Sequence, residues 1–142
     1  MAGVVDARAL EQLGDARSQL ARSPVPVLAP NAEVRLERPT IVVEGEFYSI
    51  TGRVAGATIN IQGTRAAHDY EGVAPHPGNR ALRSGKGFVT ENEGIRSASF
   101  MENGAAYSVD VECASADDAR CKNDGFVVAL VNRLVYVGGA GR

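Results

Sequence analysis

A chain of 142 residues fits one domain and is long enough to bury about 70% of the surface its unfolded form exposes. With 44% hydrophobic and 23% charged residues it is too apolar for intrinsic disorder, and a net charge of −2 leaves no basic surplus to displace counterions from nucleic acid. The balance therefore argues against nucleic-acid binding as a main function, and no apolar run is long enough to be read as a transmembrane segment.

In chain order, Asp6 to Ala21 consists of good helix formers, with Leu10, Leu13 and Leu20 as a thin apolar stripe, Asp6 as a cap and Gly14 as an interior weak point. The prolines of Ser23–Pro30 forbid helix and favour extended backbone, which predicts a tether between helix and sheet. From Val34 to Thr64 the pattern is β. Two-residue turns at Gly45-Glu46 and Ala55-Gly56 align Ile41, Ile50 and Ile61 in one row across three antiparallel strands. Thr64 to Phe88 is irregular, with Pro75, Pro77 and both histidines, and reads as a long loop.

Asn103-Gly104 favours a type I′ turn, flanked by strands Gly94–Glu102 and Ala105–Cys113. That hairpin opposes Phe100 to Tyr107, Ala98 to Val109, Arg96 to Val111 and Gly94 to Cys113. Its other face carries Ser97, Ser99, Ser108, Asp110 and Glu112. From Asp124, a candidate N-cap, Phe126, Val127, Leu130, Val131, Leu134 and Val135 follow helical spacing, and Gly138-Gly139 ends the run. The expected fold class is α+β: a mainly antiparallel sheet of about five strands, with an N-terminal and a C-terminal helix packed on one face. Residues 1–30 read as helix and tether, and 31–142 as a single α+β domain.

Cys113 and Cys121 are the only cysteines, separated by a short polar loop that can close a disulfide. Two thiols alone cannot complete a zinc site, so the pair reads as a staple, and a staple implies an oxidising compartment. The expected location is periplasmic or extracellular, with a signal peptide removed, because Met1–Asp6 lacks both a basic and an apolar leader region. The rival reading is a cytosolic protein with two free thiols. The segment Phe100–Cys113 with its second cysteine has the general look of small exported bacterial domains.

Candidate chemistry is sparse. His68 and His76, with Asp69, match no metal-ligand spacing and read as solvated loop residues. Gly78–Gly87 has the wrong spacing for a phosphate loop, yet Arg80, Arg83 and Lys86, together with Arg65, give a central segment whose only acids are Asp69 and Glu71. Arg96 falls on the inward side of its hairpin, where it needs a carboxylate, carbonyls or a cavity. Asp117, Asp118, Asn123 and Asp124 lack the alternation of a calcium loop. No Gly-x-Ser-x-Gly elbow occurs.

The expected function is that of a small exported, non-catalytic domain binding a protein partner or a small anionic ligand. Its tentative ligand residues are Arg65, His68, His76, Arg80, Arg83, Lys86 and Arg96, and no metal or cofactor is expected. The alternatives are a hydrolase with a site near His68 and His76, and an inhibitor or immunity-type protein.

Overall fold

Tight turns organise this protein, whose structure is a computed structural model describing residues 3–65, 78, 80–83 and 85–139. The chain runs through α1 (Ala7–Gln12), a 3-10 helix (Gly14–Arg22), β1 (Val27–Pro30), β2 (Glu37–Glu44), β3 (Phe47–Val54) and β4 (Ala57–Thr64). It continues through β5 (Arg80–Leu82), β6 (Gly85–Asn92), β7 (Ile95–Glu102), β8 (Ala105–Cys113), a short 3-10 turn (Ala119–Cys121), α2 (Gly125–Asn132) and β9 (Leu134–Gly138).

Seven strands form one antiparallel sheet in the order β2-β3-β4-β8-β7-β6-β5, and β1 pairs with β9 in a separate two-stranded ribbon. The Asn103-Gly104 turn has both residues in the left-handed region, at φ 55° and 72°, as a type I′ hairpin requires. Glu93-Gly94, at 53° and 84°, joins β6 to β7 in the same way.

The registers expected from the turns hold. Ile41 faces Ile50 and Ile50 faces Ile61, while Phe100 faces Tyr107, Ala98 faces Val109 and Arg96 faces Val111. Pairing of Ile61 with Val109 and of Ala98 with Val89 joins the two sets into one apolar row across six strands. That row and its neighbours Tyr48, Ile59, Phe100, Tyr107 and Val111 form the core face of the sheet. The core is completed by Leu20, β1, and Val127, Leu130 and Val131 of α2, which lies against β7 and β8.

The expected α+β fold with five strands and packed terminal helices is overturned: the protein is mostly β, with sheets of seven and two strands and, among the described residues, only two short α-helices. The expected N-terminal helix breaks at Gly14, whose φ of 58° ends α1 after Gln12 and leaves 3-10 geometry beyond. The proline-rich segment is extended, but Val27–Pro30 is a completely buried strand with a pairing partner rather than a tether. The C-terminal helix stops at Asn132, and Leu134–Gly138, expected partly as its last turn, is β9. The expected long loop yields β5 and the start of β6, because the strands on either side of Arg83 have partners.

Two tyrosines hold the ribbon under the sheet. The Tyr48 hydroxyl accepts from the Leu28 N–H and donates to the Leu28 carbonyl, both at 3.0 Å, standing in for a strand neighbour that β1 lacks. The Tyr107 hydroxyl donates to the Pro26 carbonyl at 2.7 Å. Gly63 makes room for both rings, since a Cβ there would lie 2.4 Å from Tyr48 and 2.9 Å from Tyr107.

Leu130 is 2% exposed at the α2–sheet contact, so Leu130→Ala is expected to cost about 2–5 kcal/mol by cavity creation. Chemical denaturation measures this, and a loss below about 0.5 kcal/mol would place α2 outside the core.

Candidate functional site

The disulfide is present between Cys113, at the end of β8, and Cys121, with the Cα atoms 6.1 Å apart. Asp118, inside the closed loop, accepts from the backbone and side chain of Arg120, and Arg120 also donates to the Ala55 carbonyl in the β3–β4 turn at 2.7 Å. The Arg120 hydrogen bonds hold the Asp118 carboxyl down at about 2. Asp118 is thus a ligand of its own loop rather than a bare solubilising charge. Replacing both cysteines with serine is expected to cost about 2.5 kcal/mol through the lost loop-closure constraint. Equal denaturation midpoints for the two proteins would show that the loop is held without the bond.

Of the tentative ligand residues, four arginines are engaged within the protein. Arg65 donates to the carbonyls of Pro24, Asn103 and Gly104 at 3.3–3.4 Å, which ties the end of β4 to the β7–β8 turn. Arg80 and Arg96 hold opposite oxygens of Asp124, at 2.5 and 2.9 Å, and Arg96 also donates to the carbonyls of Cys121 and Lys122. Asp124 precedes α2 but makes no capping hydrogen bond, because its carboxylate serves the two arginines instead. The inward arginine therefore finds a carboxylate and two carbonyls, as its place on the core face demands.

Arg83 grips both carboxylate oxygens of Glu102, at 2.6 and 3.1 Å, and donates to the carbonyls of Val131 and Leu134, both at 2.9 Å. Its guanidinium lies 5.6 Å from the centroid of the Phe100 ring. Lys86 is exposed on β6 and makes no ion pair among the described residues. His68 and His76 lie outside the described residues. The sequence grouped Arg65, Arg80, Arg83 and Lys86 by proximity along the chain; the fold sends the three arginines to three different internal tasks.

Among the described residues, no three His, Cys, Asp or Glu side chains come together as metal ligands. The groove lined by Ala9, Gln12, Leu13, Pro30, Val34 and Leu36 is too narrow to take a water molecule and carries no titratable side chain.

What the fold presents is the other side of the seven-stranded sheet. One cross-strand row there runs Thr40, Thr51, Asn60, Asp110, Ser97 and Thr90, and the next runs Val42, Ser49, Gln62, Ser108, Ser99 and Phe88. Asn60 donates to the Thr51 hydroxyl at 2.6 Å, Gln62 donates to the Asn60 side-chain oxygen at 2.7 Å, and Ser97 donates to the Asp110 carboxylate at 2.6 Å. The result is a half-exposed lattice of hydroxyls and amides with a single carboxylate, Asp110, in these two rows. Ser97, Ser99, Ser108 and Asp110 are legible from the hairpin alternation. Ser49, Thr51, Asn60 and Gln62 join the same surface only through the pairing of β3, β4 and β8, although the alternation of Asn60 and Gln62 with Ile59 and Ile61 signals their side of the sheet. The chain matches no family model, no curated protein and no solved structure.

Proposed function

We propose that this is a non-catalytic, exported domain that binds a protein partner through the open polar face of its seven-stranded sheet. The observation that carries this reading is the surface of Ser, Thr, Asn and Gln side chains described above, in which hydrogen bonds link Thr51, Asn60 and Gln62 to one another and Ser97 to Asp110. Small-molecule sites are concave and enclose their ligands, whereas a broad, gently twisted sheet face suits another macromolecule's surface. Pre-ordered side chains lose little rotamer freedom on contact, which favours affinity. Export is supported by the Cys113–Cys121 bond, since such bonds persist in oxidising compartments. An anionic ligand at the basic segment has weaker support, because Arg65, Arg80 and Arg83 already have internal partners.

The test uses immobilised protein and the exported protein fraction of the native cell. Ser49→Arg, Gln62→Arg and Ser108→Arg together place three cations on the face without touching the core, while Lys86→Ala serves as the control. Loss of the captured partner with the triple variant and its retention with the control is the expected result. Undiminished capture by the triple variant, with its thermal unfolding unchanged, would refute the face as the binding surface.

A further inference from the structure

Two glycines of this chain follow a residue whose side-chain carbonyl carbon lies within reach of the next backbone nitrogen: Gly104 after Asn103, and Gly125 after Asp124. Glycine has no Cβ to crowd the five-membered ring that such an attack would close. The fold treats the two sites oppositely. Asp124 is a carboxylate, a poor electrophile, with Arg80 and Arg96 on its two oxygens at 2.5 and 2.9 Å, and the Gly125 N–H donates to the Asn123 side-chain oxygen at 3.0 Å. Asn103 instead carries a neutral amide and is half-buried. Gly104 is exposed, and among the described residues its N–H has no hydrogen-bond partner, which leaves that proton open to hydroxide.

One side chain restrains this pair. Arg65 donates to the Asn103 and Gly104 carbonyls at 3.3 and 3.4 Å, and to the Pro24 carbonyl at 3.3 Å. Ring closure rotates the Asn103–Gly104 peptide toward the Asn103 side chain and out of the type I′ turn, so the Arg65 bonds have to open first.

We propose that Asn103 is a site of spontaneous deamidation and that Arg65 sets its rate. The Gly104 nitrogen, having lost its proton to hydroxide, bonds to Asn103 Cγ; the Cγ–Nδ2 bond breaks, and ammonia leaves after taking a proton from water, which restores the hydroxide. Water then opens the succinimide at one of its two carbonyls and gives aspartate or isoaspartate. One water is consumed and one ammonia released, with no oxidant or reductant. Either product puts a negative charge next to Glu102 in the chain. Isoaspartate also lengthens the backbone of the turn by a methylene, which breaks the two-residue geometry and draws the acceptors away from Arg65. The same guanidinium holds Pro24, and Tyr107, beside the Asn103 side chain, holds Pro26, so a loosened turn weakens the anchorage of the segment that leads into β1.

Folded protein kept in warm, mildly alkaline buffer is followed by peptide mass mapping and ammonia release. The expected result is a one-dalton gain confined to the peptide that holds Asn103, faster at higher pH, with isoaspartate in the product and none at Asp124. Aged protein should unfold at lower denaturant than fresh protein, and Asn103→Ser should show neither the mass gain nor the ageing. Arg65→Met should raise the rate at least about fivefold, because a reaction gated by local opening follows the opening equilibrium. Should that variant lose its circular dichroism, Arg65→Lys, which keeps the charge and gives up the fork, takes its place. An absence of conversion at Asn103 in the native protein, faster conversion at another residue, or an unchanged rate in the folded Arg65 variant would each overturn the proposal.

Discussion

Arg83→Met is expected to lower the unfolding free energy by about 3 kcal/mol, measured by chemical denaturation. One guanidinium satisfies both oxygens of Glu102 on β7 and the carbonyls of Val131 and Leu134, where α2 ends and β9 begins. The Val131 carbonyl lies in the last turn of α2, where carbonyls have no partner within the helix, so removing the guanidinium strands it together with a carboxylate and also takes a donor from the Leu134 carbonyl. The pair is 17% and 25% exposed, which lets some water reach the orphaned groups and holds the cost at the lower end of the range for buried pairs. Backbone strain does not confuse the comparison, because methionine inherits the same left-handed conformation that Arg83 adopts at φ 58°. Glu102→Gln should cost less, and the double variant should fall short of the sum by more than about 0.5 kcal/mol. Simple additivity, or a loss under about 1 kcal/mol for Arg83→Met, would mean that the cluster is solvated and holds nothing.

Alkaline pH should unfold the protein through its two buried tyrosines. Burial pushes the Tyr107 hydroxyl up to about 12 and the Tyr48 hydroxyl higher still, against an ordinary value of 10. Above pH 10 the unfolded chain releases these protons while the native chain retains them. The native state then binds more protons, so stability falls as pH rises, by up to about 1.4 kcal/mol per pH unit for each tyrosine. The contribution is complete below pH 10 and drains away between pH 10 and the folded value, near 12 for Tyr107.

Tyr48→Phe should cost about 2–5 kcal/mol at neutral pH, because it leaves the N–H and the carbonyl of the buried Leu28 without partners. The Tyr48→Phe, Tyr107→Phe double variant, though weaker at neutral pH, should show a shallower decline above pH 10. Denaturation midpoints at pH 8 to 11 measure both effects. A wild-type profile that stays level across that interval would show the hydroxyls ionising without loss of the fold.

Locally encoded features of this chain were legible in its residues. Turn dipeptides and strict two-residue alternation set the β2–β3–β4 meander and the β7–β8 hairpin with correct registers, since a slip of one residue would turn Ile50, Ile61 and Val109 to water. The cysteine pair was readable for a similar reason, because closing a short loop needs no distant partner. Arg96 could be assigned an internal task from its place in the alternation, although not the identity of Asp124 as its partner.

Tertiary pairing decided the rest. Val27–Pro30 and Leu134–Gly138 are each too short to declare themselves strands, and the second also satisfies a helical spacing; they become strands because they meet each other, and because Tyr48 and Tyr107 supply hydrogen bonds to β1 and the segment before it. Arg80–Leu82 is too short, and Gly85–Asn92 too rich in glycines and charges, for a strand signal; β6 is organised by pairing with β7, and β5 by pairing with β6. Charge along the sequence was the least reliable guide. Whether a cation is available to a ligand depends on which carboxylates and carbonyls the fold brings to it, and for Arg65, Arg80 and Arg83 those partners come from about 20 to 50 residues away along the chain.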